Sequence, residues 1–238
     1  MSPMSFVFDP QQALTLLSLA EAAYDLTKLP AGWKLIGPLE PEDFGFVATK
    51  DGLVYIGFRG THKPEDVVTD IDILPAASLY SMGEVSKGTQ DAYTSVRPSL
   101  IELMAEAEAT VPVGKGDLRM QVVILGHSLG GNLATHCASD RMLAGVDRYP
   151  VLFASPKTGD RTFAEDFDAK NPNCWRIVNK WDTINLWPYV STYQHVKNEV
   201  VVDGGMPPPE TFVTSAHSLS GAYRVGLEKM VEEEAAGK

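Results

Sequence analysis

The chain alternates between two hydrophobic periods. Apolar residues recur at helical spacing at Leu14, Leu17, Ala20 and Tyr24, with Asp9 as an N-cap and Pro10 at the first helical position, so a helix is predicted from about Pro10 to Leu26. FGFVATKDGLVYIGFRGT follows, two β-rich runs joined through Lys50-Asp51-Gly52, which is a hairpin signal. Gly88 to Thr110 returns to the helical period, with Pro98 expected to kink or restart it. RMQVVIL, YPVLFASP and CWRIVN are short apolar runs that read as buried strands. NEVVVDGG closes the strand set, and SAHSLSGAYRVGLEKMVEEE supplies a final helix. Strands alternating with helices predict an α/β fold, a largely parallel sheet covered on both faces. No internal repeat and no long linker interrupts the pattern, so residues 1–238 are read as a single domain, with DGGMPPPE as an exposed loop.

Composition narrows the range of partners. A length of 238 residues fits one large core, and 44% hydrophobic with 21% charged residues is ordinary globular usage. Twenty Lys plus Arg against 31 Asp plus Glu give a net charge of -11, which argues against nucleic acid or an anionic membrane as electrostatic partner. No apolar run approaches the roughly 20 residues of a membrane span, and the amino terminus lacks a basic start, so neither a transmembrane segment nor a signal peptide is expected. On that reading the chain is cytoplasmic or exported by a route it does not display. Cys137 and Cys174 cannot build a disulfide framework, and whether they pair stays open. No Cys/His cluster implies a metal, and no cofactor is expected.

The candidate chemistry lies in QVVILGHSLGGNLATHCASD. Gly126-His127-Ser128-Leu129-Gly130 matches G-x-S-x-G directly between a predicted strand and a predicted helix. A turn that sharp leaves no room for side chains two positions before and after the serine, and it raises Ser128 on a strained backbone above a helix N-terminus. A hydroxyl is a weak nucleophile until a base takes its proton, so a histidine and an orienting acid should follow, in the order Ser, acid, His of the α/β-hydrolase fold. His136 lies two turns down the same helix and points away. His217 follows the last strand, at the sheet edge where such sites are built, and is favoured over His195, which is expected to hydrogen-bond within a hairpin. Asp182, beyond the RIVN strand, is the candidate acid, with Asp203 as runner-up. Asp160 and Asp166 read as turn and helix-surface residues.

With these residues in place, the chain resembles the class 3 lipases, α/β-hydrolases similar to the filamentous-fungal triacylglycerol lipases. The resemblance rests on YIGFRGT at 55–61, LGHSLGGNLA at 125–134, ASPKTGDRTFAEDF at 154–167 and RIVNKWDTINLWP at 176–188, with weaker matches in AEAAYDL and YQHVKNEV. It implies Ser128 as nucleophile, Asp182 as acid and His217 as base. It also implies an oxyanion hole from Thr61, through its N–H and hydroxyl, and from the N–H of Leu129. Arg59 is read as structural. The chain departs from the family pattern at Lys87, Thr89, Asn185 and Lys197, which bears on the ester preferred.

The implied activity is hydrolysis of lipid carboxylic esters through an acyl-enzyme, with a lipid or other ester as substrate and transient contact with a lipid interface. Alternatives are a phospholipase A1, an acyltransferase, or a catalytically silent binding module. HKPEDVVTDIDILPAASLY occupies the place of a lid, and Val67, Val68, Ile71 and Leu74 share one face of a short amphipathic helix expected over 64–74.

Overall fold

The computed structural model describes residues 7–40, 44–61, 72–111 and 119–237. The helix expected at the start is α1, Pro10–Ala22, capped by Asp9, whose carboxylate accepts from the N–H groups of Gln11 and Gln12. It stops short of Leu26. Asp25 caps a separate short turn, Leu26–Lys28, by accepting from the backbone N–H and the hydroxyl of Thr27. A side chain that offers the backbone an alternative partner ends a helix in this way.

Three antiparallel strands come next: β1 (Lys34–Pro38), β2 (Gly45–Lys50) and β3 (Leu53–Phe58). Asp51 and Gly52, both at positive φ, make the β2–β3 turn, as the Lys-Asp-Gly signal predicts. The remaining strands of this sheet are β6 (Gln121–His127), β7 (Asp147–Phe153), β9 (Trp175–Asn179) and β11 (Glu199–Val202). They lie in the order β1-β2-β3-β6-β7-β9-β11, parallel from β3 onward. A smaller sheet of β4 (Pro75–Ala77), β5 (Glu84–Ser86), β8 (Gly159–Asp160) and β10 (Tyr193–Gln194) runs β10-β8-β5-β4. Its strands of two or three residues are too short to leave a periodic trace in sequence.

Helices cover the large sheet on both sides. On one face α2 (Lys87–Thr110) and α3 (Leu129–Ser139) bury Tyr93, Leu100, Leu133 and Ala134 against Val54, Ile56, Val122 and Ile124. On the other, α1 and the carboxyl-terminal helix pack Leu17, Ala20 and Leu227 against Tyr55, Val123, Leu125 and Val151. Each fully buried Leu, Ile or Val side chain contributes about 1.5–3 kcal/mol by leaving water, so the central strands anchor everything that hangs from their carboxyl ends. Helix α4 (Arg161–Lys170) completes the cover.

Two helix expectations change. Pro98 neither breaks nor restarts α2, because the carbonyl it leaves unbonded, that of Thr94, lies on the exposed face where water can reach it. The final helix is divided into α5 (Phe212–Ala216), a π-turn (Leu219–Tyr223) and α6 (Arg224–Ala235), with His217 and Ser218 in the break. Ser218 caps the π-turn, accepting from Gly221 N–H with its hydroxyl and from Tyr223 N–H with its carbonyl. Cys137 and Cys174 are both buried free thiols. Val67, Val68 and Ile71 of the expected lid helix lie outside the described residues, and Leu74 is 65% exposed just before β4.

Candidate active site

Ser128 sits between β6 and α3 with φ 59° and ψ -128°, a left-handed backbone on a residue with a side chain. Such a conformation costs about 1–3 kcal/mol and persists only where the surroundings impose it. They do so through Ser128 N–H, which donates to Phe153 O at 3.0 Å, and through the flanking glycines. A Cβ on Gly126 would lie 2.0 Å from Gly130 O, so the elbow closes on itself there. A Cβ on Gly130 would lie 2.3 Å from Phe58 O. Gly130 is therefore demanded by the neighbouring strand β3 and not by the serine, a cause the pentapeptide alone does not reveal.

Asp182 and His217 meet across 35 residues of chain. Nδ1 of His217 donates to Oδ2 of Asp182 at 2.8 Å, with both side chains fully buried. The same Oδ2 accepts from the hydroxyl of Tyr223 at 2.8 Å, and Oδ1 accepts from Ile184 N–H at 2.9 Å. Burial pushes the Tyr223 phenol well above its ordinary value, which keeps it a donor. A carboxylate held by three donors fixes the ring of its histidine in one tautomer, with Nε2 unprotonated and able to accept a proton. Both Nε2 of His217 and Oγ of Ser128 are buried without a hydrogen-bond partner among the described residues. Catalytic hydrogen bonds are often unformed until substrate arrives.

A second network ties the elbow to its surroundings. His127 Nε2 donates to the His217 carbonyl at 3.0 Å, so in the neutral ring Nδ1 accepts from Tyr24 Oη at 2.7 Å, and that oxygen accepts from Gly60 N–H at 2.9 Å. Burial first, then the nearby His217, holds His127 well below the ordinary histidine range, and burial pushes the Tyr24 phenol up to about 12. The network thus joins the turn after α1, the turn that carries Thr61, the elbow and the His217 loop. Tyr24, His127 and Tyr223 escape the sequence reading. AEAAYDL and the histidine inside GHSLG are the signals available for the first two, whereas Tyr223 reaches Asp182 only because a π-turn rotates it there.

Thr61 lies directly after Gly60, where an added Cβ would come within 2.9 Å of Ser128 Cβ. Leu129 is the first residue of α3, whose leading N–H groups lack acceptors within the helix. Thr61 and His217 line a cavity of about 530 Å³ that extends toward α1 and the 214–220 segment. Arg59 donates to Gly60 O at 3.1 Å and sits over the Phe44 ring, a structural arrangement.

The alternatives are placed elsewhere. Asp203 is held at about 2 by Lys180, the Gly205 N–H and Trp181, a surface ion-pair cluster. Asp160 caps α4 through Phe163 N–H, and Asp166 binds Lys170 and Ser81. His195 does not bond within a hairpin, because β10 pairs with β8 and brings its ring instead to the backbone of Asn185, in the turn that follows Asp182. His136 is fully buried and donates Nε2–H to Thr89 Oγ1 at 2.9 Å. No group of three His, Cys, Asp or Glu among the described residues is disposed to hold a metal, and no described helix is long and apolar enough to cross a membrane.

The family model for lipase (class 3) matches residues 55–192, more than half of the chain and the whole stretch from β3 through the elbow to the Asp182 loop. The chain belongs to the class 3 lipase family. A lipase of Caenorhabditis elegans is 24% identical to this chain over 201 residues, covering 74% of the chain and 55% of the relative. A phospholipase A1-II of Oryza sativa subsp. indica is 28% identical over 159 residues, covering 51% and 39%. The chain thus spans about half or less of the length of these curated relatives. Lipase II of Rhizopus niveus superposes with a TM-score of 0.71 at 21% identity, covering 82% of this chain and 81% of that one, so the α/β-hydrolase fold is shared.

Proposed function

We propose that this class 3 lipase hydrolyses carboxylic esters of lipids through an acyl-enzyme on Ser128, and that residues 1–238 act as one domain. The observation that carries the proposal is the buried contact of His217 Nδ1 with Asp182 Oδ2 at 2.8 Å, beside a serine held at positive φ. Ser128 Oγ bonds to the ester carbonyl carbon as its proton passes to His217 Nε2, and the N–H groups of Thr61 and Leu129 receive the developing oxyanion. The C–O bond to the alcohol then breaks, and the alcohol oxygen takes the proton from His217. Water, deprotonated by the same nitrogen, frees the carboxylic acid and restores the serine.

The names of the worm lipase and the rice phospholipase A1 support a lipid ester as substrate. The strongly acidic chain favours neutral over anionic interfaces for any transient docking to lipid. The test is labelling with a fluorophosphonate, expected on wild type and absent from Ser128→Ala. A folded wild-type protein that takes no label would favour a silent binding module.

A further inference from the structure

Gly60 is the joint on which the Thr61 donor hangs. A Cβ at Gly60 would stand 2.7 Å from Tyr24 Oη, 2.8 Å from the His127 carbonyl and 2.9 Å from Ser128 Cβ, so the nook admits only a residue without a side chain. The same lack of a Cβ leaves both Gly60 dihedrals unusually free. Those dihedrals set the angle between the peptide plane before Gly60 and the plane that joins it to Thr61. A donor carried on such a joint swings unless groups outside the joint hold both planes.

Each plane is held by one side chain. The Gly60 N–H belongs to the first plane and donates to Tyr24 Oη at 2.9 Å. The Gly60 carbonyl belongs to the second plane and accepts from Arg59 Nη1 at 3.1 Å. In a planar trans peptide the N–H points opposite to the C=O, so fixing the Gly60 carbonyl also fixes the direction of the Thr61 N–H. Both pins are themselves braced. The Tyr24 hydroxyl donates to His127 Nδ1 at 2.7 Å, and the Arg59 guanidinium lies over the Phe44 ring while its backbone N–H donates to the Phe44 carbonyl at 2.9 Å. The turn therefore takes its shape from segments outside itself, Tyr24 lying 36 positions away from Gly60 in the chain.

Resting on the ester-hydrolase reading above, we infer that Tyr24 and Arg59 are positioning residues of the oxyanion hole: they hold the two peptide planes that flank Gly60 and so keep the Thr61 N–H aimed beside Ser128. Donors stabilise a developing oxyanion best when they need no reorientation during the reaction. Freeing the joint forfeits that advantage in the transition state and leaves the ground-state complex little changed.

Tyr24→Phe removes only the hydroxyl, and Arg59→Met keeps the aliphatic stem without the donor. On nitrophenyl butyrate each should lower kcat about tenfold with KM within about twofold, less than the roughly 10²-fold cost of deleting a donor, because the Thr61 N–H is still present. The discriminating measurement uses a trifluoromethyl ketone of matching chain length. Ser128 Oγ bonds to its carbonyl carbon as the proton passes to His217, and the ketone oxygen takes the displaced electron pair and becomes the oxyanion. Its Ki should rise about tenfold in each variant, in step with the loss in kcat, while the Ki of the plain methyl ketone stays constant. The double variant should lose much less than the product of the two single losses, since either change frees the same joint. Should one single variant not fold, as judged by urea unfolding, the other carries the test. Unchanged kcat, a trifluoromethyl ketone Ki that stays put while kcat falls, both ketones weakened alike, or losses that multiply in the double variant would overturn the inference while fluorophosphonate still labelled Ser128. Failure of that labelling on folded wild-type protein would instead remove the hydrolase reading beneath it.

Discussion

Tyr223 donates to Oδ2 of Asp182 at 2.8 Å, the same oxygen that receives Nδ1 of His217. One carboxylate oxygen thus orients the candidate base and is itself oriented by a tyrosine from a π-turn. Tyr223→Phe keeps the ring and removes the donor, so a buried carboxylate loses one of three partners at a cost of about 1–3 kcal/mol. If about 1 kcal/mol of that is felt in the transition state, kcat falls roughly fivefold with KM little changed. Steady-state rates on a soluble ester, beside urea unfolding, check both halves of the expectation.

Ser128→Ala and His217→Ala should each abolish nearly all turnover, and the double variant should lose little more, because such groups act as a unit. Thr61→Val keeps the backbone N–H and removes the hydroxyl donor, with an expected loss of about 10²-fold in kcat. His195→Ala should lower stability more than rate, since its ring is partly buried and makes no contact with Ser128 among the hydrogen bonds of the described residues. Activity lost in a fully folded His195→Ala with His217→Ala still active would reverse the assignment of the base.

Stability should fall steeply in mild acid. Burial depresses His136 to about 3, and burial, with Arg176 and Lys157 adding to it, depresses His195 to about 3. The unfolded chain binds these protons near pH 6.5, the folded chain only near 3, so stability is fully present above about 6.5 and is lost as pH falls. The fully buried His136 alone contributes a slope of about 1.4 kcal/mol per pH unit, or about 2 kcal/mol between pH 6.5 and 5. Urea midpoints at pH 7, 6 and 5 should decline accordingly, and His136→Gln should flatten the decline by that amount. Parallel declines in the two proteins would show that His136 takes up no proton on unfolding.

Gly130→Ala should be more damaging than its size implies. The new methyl would stand 2.3 Å from Phe58 O, a backbone atom of a central strand that has no freedom to retreat. Loss of soluble folded protein, or folded protein with fluorophosphonate reactivity reduced by an order of magnitude or more, is expected. Gly145→Ala is the control. Gly145, unlike the helical Gly130, has positive φ but would find nothing within 4 Å, so backbone strain without a steric clash should appear.

Much of the frame is legible in the chain itself. VVIL and PVLF are apolar along their length, and WRIV is so apart from Arg176, because both faces of each strand are covered, and that pattern identifies them as interior strands of a parallel sheet. The elbow is equally local. The left-handed serine and the methyl-free position at Gly126 follow from a five-residue turn, so sequence reports them directly. Asp182 and His217 are recognisable as residues following strand ends.

Other features depend on atoms far apart in the chain. Asp25 rather than a change in periodicity ends α1, and exposure of the Thr94 carbonyl rather than any residue signal lets Pro98 remain in α2. The relay from Gly60 through Tyr24 and His127 to His217 joins four segments, and its members are ordinary tyrosine and histidine until the sheet brings them together. Tyr223 reaches Asp182 only because one extra residue per turn, taken up in the π-turn after Ser218, rotates its side chain inward. Sequence by itself determined the periodic elements and the strained turn, since those arise from contacts within a few residues. The relay through Tyr24 and His127 and the donors around Asp182 were decided by the tertiary structure, because hydrogen bonds between residues 35 to 103 positions apart have no local pattern to announce them.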